Sequence, residues 1–229
     1  MSDNMVIREF LFNYFLYFII YSVLGWITEV IFHIYTEKKF INRGFLNGPW
    51  CPIYGTGAII MILLLSELKN NLFFLFIGGA ILASLIELIT GVVLEKLFGS
   101  RWWDYSEDRF NIKGYISLKF SIMWGIASVI LMIYIQPTIE YFLSLFSFNS
   151  LVLLHNFLLV VFVADVALTI SSLIELKNIL NELKSITLEF NLKKLQDELL
   201  NRKIINLAIK LKNRQIYLMK IYPILTKNR

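Results

Sequence analysis

The sequence predicts an all-α membrane protein with about five transmembrane helices, and three observations support this class. Hydrophobic types make up 57% of the 229 residues and charged types only 17%, against about 25% charged residues in an ordinary soluble chain. The apolar residues are grouped in blocks of about 20, the length at which an α-helix crosses a bilayer. Lysine and arginine are concentrated near the C-terminus, as expected for a cytoplasmic tail.

The apolar blocks follow one another with short connections. Backbone groups in lipid must be hydrogen-bonded within the protein, so runs of this length are predicted as helices. Pro137 is expected to end the fourth helix, which leaves the aromatic stretch 137–149 too short to span and suited to an interfacial loop. The five predicted spans lie at about residues 10–34, 48–66, 71–95, 115–136 and 150–174.

The distribution of basic residues predicts an outer N-terminus and an inner C-terminus. With five spans and the tail inside, 20 of the 22 lysine and arginine residues lie on the inner side, and only Arg8 and Lys69 lie outside. Such an excess is the usual mark of the cytoplasmic face. The connectors 36–52 and 96–114 then both face the cytoplasm, where they can meet.

Three ionisable side chains lie within predicted spans: Glu29, Glu87 and Asp165. A charged group at the centre of a membrane helix costs about 2.5–3.5 kcal/mol, so such residues usually face the bundle interior. Arg43 and Arg101 are the nearest basic residues on the connectors, and we expect at least one to pair with Glu29 or Glu87. Such a pair could only lock the fold, or it could belong to a substrate or proton site at the inner membrane face.

Small and hydroxyl-bearing residues recur at helical spacing in four spans, which predicts close helix packing around a polar seam. The faces are formed by Ser22, Gly25, Glu29 and His33; by Ser84, Glu87 and Gly91; by Ser117, Ser121, Gly125 and Ser128; and by Asp165, Thr169 and Ser172.

The two connectors carry the unusual motifs "NRGFLNGPWCPIYG" and "RWWDYSEDRFNIKG". The glycines near residue 55 predict that the second helix begins inside the bundle. Cys51 is expected to be a structural thiol rather than a nucleophile. Asp104 is expected to cap a turn, with cation binding as the alternative. The candidate residues of the polar network and its mouth are Asn42, Arg43, Gly44, Gly48, Pro49, Cys51, Pro52, Tyr54, Arg101, Trp102, Trp103, Asp104 and Tyr105, the two tryptophans being either headgroup anchors or stacking groups.

The stretch 175–229 is predicted to be a basic amphipathic helix that continues from the last span. It holds twelve basic and five acidic residues, and its leucine and isoleucine residues follow 3–4 spacing for about two heptads. Its apolar face could form a coiled coil with a second copy, dock on a partner, or lie on the inner leaflet with its lysines toward anionic lipid.

Several classes of function receive no support from the residues. A single cysteine excludes an internal disulfide and a cysteine-based metal site, and no histidine-rich ligand set is visible. The "YGTGA" glycines lack the third glycine and the preceding strand of a nucleotide fingerprint. No cofactor, metal or nucleic-acid partner is therefore predicted, whereas membrane lipid is an expected partner.

Four segments together resemble a small bacterial integral-membrane family of ABC-transporter (type IV) permeases. They are "YSVLGWITEV", "FINRGFLNGPWCPIYGTGA", "LIELITGVVLEKLFGSRWWDYSEDRFNIKGYISL" and "SIMWGIAS". The resemblance covers about residues 21–128 and implies a multi-pass protein of the cell membrane with a transport role. Since the chain has no P-loop, any ATPase would be a separate subunit, and a homodimer would give a larger bundle. The matching positions are Glu29, Asn42, Arg43, Gly44, Pro49, Cys51, Pro52, Glu87, Glu95, Trp102, Trp103, Asp104 and Tyr105.

Three functions remain in view at this point. The first is a permease subunit whose substrate path is lined by Glu29, Glu87 and the glycine-rich connector. The second is a membrane sensor or scaffold that recruits a partner through its tail. The third is an intramembrane enzyme acting on a lipid or small metabolite, which requires the carboxylates to converge with Cys51 or Asp104 on one pocket.

Overall fold

Helices account for nearly all of the regular structure in this chain. The computed structural model describes residues 2–38, 42, 46–98 and 101–192. Within these residues the predicted all-helical class is confirmed, apart from one short antiparallel hairpin between the third and fourth helices. The elements are α1 (Ser2–Glu37), α2 (Pro52–Leu65), α3 (Leu72–Phe98), β1 (Asn111–Ile112), β2 (Ile116–Ser117), α4 (Leu118–Ile130), α5 (Gln136–Ser144) and α6 (Phe148–Leu192).

Four helical segments are long and apolar enough to cross a membrane, with mean hydropathies from 1.9 to 2.5. The outer faces of these helices expose large apolar side chains, as expected of surfaces in contact with lipid. The predicted second span differs, because α2 has only 14 residues and ends in a 3-10 turn, Ser66–Leu68. Its α-helical part is about 21 Å long, shorter than a bilayer core of about 30 Å. The four long segments are Phe12–Thr36, Leu72–Leu97, Leu118–Ser144 and Phe148–Ile179.

The short second helix begins deep inside the bundle, as the glycines predicted. The backbone N–H of Cys51 donates to the carbonyl oxygen of Ser22 at 2.9 Å. Ser22 lies 15 residues before the end of α1, which is about 22 Å along a helix. A Cβ at Gly55 would overlap Ser22 Oγ and the carbonyl oxygen of Phe18, so only glycine allows this approach. The connector after α1 therefore re-enters the bundle before α2 starts.

The prediction that Pro137 ends the fourth helix is wrong. The helix continues through a π-helical turn, Leu131–Ile135, directly into α5. Proline has no N–H, and its ring crowds the carbonyl group four residues earlier. The π-helical turn accommodates it: the N–H of Gln136 donates to Leu131 O, five residues back. The predicted interfacial loop is therefore mostly helix, up to Ser144.

The stripe of small residues on α4 packs against α3, a partner that the sequence pattern did not specify. A Cβ at Gly79 would overlap the Ser128 side chain, and one at Gly125 would overlap the Phe76 ring. Ser84 Oγ and Ser121 Oγ lie 2.7 Å apart. Glycine and serine thus let these two antiparallel helices approach closely, which is how membrane helices gain packing energy without a hydrophobic driving force.

Two apolar clusters lie in the core of the part of the chain that the structure describes. One surrounds α2 and includes Met61, Leu65 and Leu75. The other lies beneath the re-entrant connector and joins Ile19 of α1 to Leu46 and Trp50. The connector therefore contributes to the core and is not a surface loop.

The last helix runs without interruption to Leu192, beyond the apolar segment that ends at Ile179. Lys177 Nζ donates to the carbonyl oxygen of Leu97 at 2.8 Å, so this part of α6 meets the C-terminal end of α3. The predicted tail beyond residue 192, with its amphipathic and coiled-coil character, lies outside the described residues.

Candidate functional site

A cavity of about 310 Å³ lies between α1, α2, α3 and α4. Two of its lining residues are the acids predicted to face the bundle interior, Glu29 of α1 and Glu87 of α3. Four large aromatic side chains complete its polar end: Tyr54, Trp103, Tyr105 and Trp124. The remaining walls are largely apolar. Both connectors reach this cavity, since Tyr54 follows the first connector directly and Tyr105 belongs to the second.

Glu29 is held by the start of the second helix. The hydroxyl of Tyr54 donates to Glu29 Oε1 at 2.5 Å. The Tyr54 ring can lie this close to α1 because the facing residue is Gly25, where a Cβ would overlap the ring. His33 Nδ1 lies 2.8 Å from the carbonyl oxygen of Glu29 and 3.9 Å from Glu29 Oε2. Gly25 and Glu29, on one face of α1, therefore both meet Tyr54 at the start of α2.

Glu87 is held by the second connector and by α4. The Tyr105 hydroxyl donates to Glu87 Oε1 at 2.8 Å, and Trp124 Nε1 donates to Oε2 at 3.3 Å. Glu87 is only 6% exposed, so these two donors replace the water that the carboxylate gives up. Burial and the adjacent Glu87 carboxylate raise the pKa of the Tyr105 phenol, which keeps this donor protonated.

Of the two arginines predicted as partners for Glu29 or Glu87, Arg101 pairs with other acids instead. Arg101 Nε contacts Glu95 Oε2 at 3.0 Å, and Arg101 Nη1 lies 3.5 Å from Asp104 Oδ1. Glu95 lies about two turns beyond Glu87 on α3 and only six residues before Arg101, so it meets the guanidinium first. Among the described residues, no lysine or arginine pairs with Glu29 or Glu87. Arg43 lies outside the described residues.

The second connector is a folded unit built on local hydrogen bonds. Asp104 accepts a hydrogen bond from Ser106 N at 3.0 Å and another from Ser106 Oγ, so it caps a turn as predicted. Gly114 has a φ of +74° and sits against Asp104. Trp103 Nε1 donates to Tyr115 O at 2.9 Å. These hydrogen bonds hold Trp103 and Tyr105 in the lining of the cavity.

The third predicted acid, Asp165 of α6, anchors the re-entrant connector. Its Oδ1 accepts hydrogen bonds from Asn47 N at 3.0 Å and from Asn47 Nδ2 at 2.9 Å. Its Oδ2 accepts from Gly48 N at 2.7 Å and from Trp50 Nε1 at 2.8 Å. Thr169 Oγ1 adds a fifth donor at 3.3 Å. The carboxylate is therefore satisfied by the connector, and Asp165 does not line the cavity.

The other candidate residues lie around these sites. Asn42 Oδ1 accepts a hydrogen bond from Trp26 Nε1 at 2.7 Å. Cys51 is buried at the turn into α2, and Pro52 is the first residue of that helix. Pro49 is exposed, whereas Trp102 is buried. Gly44, like Arg43, lies outside the described residues.

Sequence reasoning missed three donors of the polar sites, Trp124, Asn47 and Trp50. Trp124 lies on the same helical face as Ser121 and Ser128, so the serine stripe was a usable signal for it. The sequence analysis also missed Gln136, which is fully buried and accepts a hydrogen bond from the Tyr21 hydroxyl at 2.8 Å. The expectation that charged residues within apolar runs face the bundle interior could have been extended to this amide.

The chemistry available in the cavity is that of carboxylates, phenols and indoles. Neither Cys51 nor Asp104 lines it, so the convergence required for the enzyme hypothesis is not present. No group of three or more metal-ligating side chains occurs among the residues that the structure describes. The cavity therefore presents two carboxyl groups, hydroxyl and indole donors, and aromatic rings to a ligand.

Comparison with known proteins gives one match. The sequence profile of the family described as "Putative ABC-transporter type IV" matches residues 16–170 of the 229. The matched region contains both connectors, the cavity and Asp165. No curated protein and no solved structure matches the chain.

Proposed function

This chain belongs to the family described as "Putative ABC-transporter type IV", and on that basis we propose that it is the membrane permease subunit of such a transporter. Its apolar helices fit a membrane protein. ATP hydrolysis is assigned to a separate subunit, since the chain carries no P-loop. Two copies of the chain would provide a larger bundle for a substrate path.

One observation carries this proposal: a cavity of about 310 Å³ with two carboxylates lies between four helices. Small-molecule sites usually have volumes of about 300–1,000 Å³ and few, well-placed polar groups. Ionisable groups within membrane helices commonly mark substrate or ion paths. We therefore assign Glu29 and Glu87 to the substrate path, and Trp103 and Tyr105 to its mouth.

The course of the chain supports a multi-pass protein of the cell membrane. We count the re-entrant connector and α2 together as one crossing, which with the four long helical segments would make five. A half-length helix that begins inside a bundle is a known device for placing backbone and side chains near a substrate in transporters. With the basic tail inside, the N-terminus lies outside, and the cavity mouth faces the cytoplasm.

Cysteine accessibility tests the substrate path. The single native cysteine, Cys51, is buried, so Cys51→Ala gives a background with no thiol. In that background we introduce Thr28→Cys and Ala83→Cys, both in the cavity lining. A small, charged, membrane-impermeant thiol reagent should modify both positions from the cytoplasmic side. Val160→Cys on the exposed apolar face of α6 is the control and should not react.

The transporter assignment is tested by purification of the tagged full chain from its native membrane. An ATP-hydrolysing subunit should copurify, and vanadate trapping of that subunit should change the modification rate at Thr28→Cys. The proposal would be contradicted if the chain purified without any ATPase and the cavity positions reacted from neither side of the membrane.

A further inference from the structure

The described lining of the cavity holds two carboxyl groups and no basic side chain. Glu29 and Glu87 both line it, and the described lining contains no lysine, arginine or histidine. The hydrogen bonds that reach the two carboxylates come from neutral groups: Tyr54 to Glu29, and Tyr105 and Trp124 to Glu87. Neutral donors orient a carboxylate but leave its charge uncompensated.

His33 is the nearest basic ring, and it does not change this balance. Its Nδ1 lies 2.8 Å from the carbonyl oxygen of Glu29 but 3.9 Å from Glu29 Oε2. His33 is also 7% exposed and absent from the cavity lining.

The walls next to the carboxylates are aromatic. The Tyr54 and Trp124 rings meet edge to face, with centroids 5.6 Å apart and planes inclined at 72°. Trp103 and Tyr105 cover the same cavity from the second connector. Aromatic faces attract cations and reject anions, and alkylated ammonium groups are the ligands that such walls recognise best.

We infer that this cavity binds a compact organic cation with an apolar body, such as an alkylated ammonium compound. The charge would lie between Glu29 and Glu87 against the rings of Tyr54 and Trp124. The apolar part would contact the aliphatic wall formed by residues such as Met61 and Ile86. An anion is disfavoured by both carboxylates and by the ring faces. This inference rests on the proposed function and names the class of its substrate.

A pair of ligands that differ only in charge provides the test. Choline is a quaternary ammonium alcohol, and 3,3-dimethylbutan-1-ol is its neutral isostere of the same shape. Binding to the full chain in lipid nanodiscs is measured by tryptophan fluorescence, because Trp103 and Trp124 line the cavity. Tetraethylammonium is tested as a second cation and acetate as an anion. Choline and tetraethylammonium should quench or shift the emission saturably, whereas the neutral alcohol and acetate should not.

Charge-removing variants locate the bound cation. Glu29→Gln and Glu87→Gln should each weaken cation binding at least about tenfold, and the double variant should show none. Glu67→Gln removes an exposed carboxylate outside the cavity and should leave binding unchanged. Thermal unfolding of each variant shows whether it is folded, and Glu29→Asp should recover part of the affinity.

The possible failures of the two proposals are distinct. Three results would each overturn the inference. They are equal binding of choline and its neutral isostere, unchanged cation binding in both glutamine variants, and no binding by either cation at millimolar concentration. None of these results touches the permease role, which depends on cysteine accessibility and on the ATPase. Conversely, cation binding in a chain whose cavity positions react from neither side would support the ligand class and contradict transport.

Discussion

The hydroxyl of Tyr105 lies 2.8 Å from Oε1 of Glu87, and this contact joins the second connector to an acid inside the helix bundle. The two residues are 18 positions apart in the chain. The contact fixes the connector over the cavity and supplies one of the two donors to a carboxylate that is only 6% exposed. It is therefore the first relationship to test by substitution.

Tyr105→Phe should lower the free energy of unfolding by about 1–3 kcal/mol, because it removes a donor from a buried charged acceptor. Trp124 remains as the second donor, so the variant should still fold. Denaturant titration in detergent, followed by circular dichroism, measures the loss. Tyr134→Phe is the matched control, since Tyr134 is 67% exposed, and it should change little. Equal stability of the two variants would show that the Tyr105 bond contributes nothing.

Asp165→Asn should release the re-entrant connector. An asparagine presents an N–H group where Asp165 Oδ2 now accepts hydrogen bonds from Gly48 N and Trp50 Nε1. Each lost bond to a charged acceptor is worth about 1.5–3 kcal/mol. We expect Cys51, buried at the end of this connector, to react faster with a maleimide than in the wild type.

The control for this labelling experiment is Glu67→Gln, an exposed carboxylate beyond α2. Its Cys51 should react at the wild-type rate. If Asp165→Asn also reacts at the wild-type rate, Asp165 does not anchor the connector.

Gly25→Ala and Gly57→Ala should have opposite consequences although both add one methyl group to a helix. A Cβ at Gly25 would overlap the Tyr54 ring, whereas at Gly57 the nearest atom, Ile86 Cδ1, would be 3.9 Å away. We expect Gly25→Ala to cost about 1–3 kcal/mol through overpacking. Gly57→Ala should be neutral or stabilising by up to about 1 kcal/mol, because alanine favours helix. Thermal unfolding midpoints compare the two, and the reverse order would refute the close approach of α1 and α2.

Tyr21 and Gln136 should show an energetic coupling across the bundle. Tyr21→Phe removes the donor and Gln136→Leu the acceptor of a buried hydrogen bond of 2.8 Å. Each single variant should lose about 1–3 kcal/mol, since each leaves a buried polar group without its partner. The double variant should lose less than the sum by about 1 kcal/mol. Additive losses in unfolding titrations would mean that this bond carries no energy.

The sequence predicted the buried acids well, because a charged residue within an apolar span usually faces the bundle interior. That prediction needs only the neighbouring residues of the same helix. Glu87 and Asp165 are both buried, Glu29 is half-buried, and the small-residue faces of α3 and α4 meet. The partners of the acids were predicted less well. Opposite charge suggested arginine, but the donors to the two cavity glutamates among the described residues are phenol and indole groups.

The prediction for Pro137 failed for a related reason. Proline usually ends a helix because of a missing donor and a steric clash, and the sequence shows only that tendency. In the folded chain a π-helical turn precedes it, and Gln136 gains a buried hydrogen bond to Tyr21 that stabilises this arrangement. A contact across 115 positions of the chain thus overrode a local preference.

Composition and periodicity by themselves determined that this is a helical membrane protein. They also determined roughly where its long helices lie and which acids those helices bury. These properties depend on neighbouring residues along one helix. Only the tertiary structure decided that the connector enters the bundle to Asp165, that α2 begins at the level of Ser22, and that Glu29 and Glu87 share one aromatic cavity. Each of these depends on groups between 18 and 118 positions apart, and a hydrogen bond forms only when the fold brings its donor and acceptor within about 3 Å.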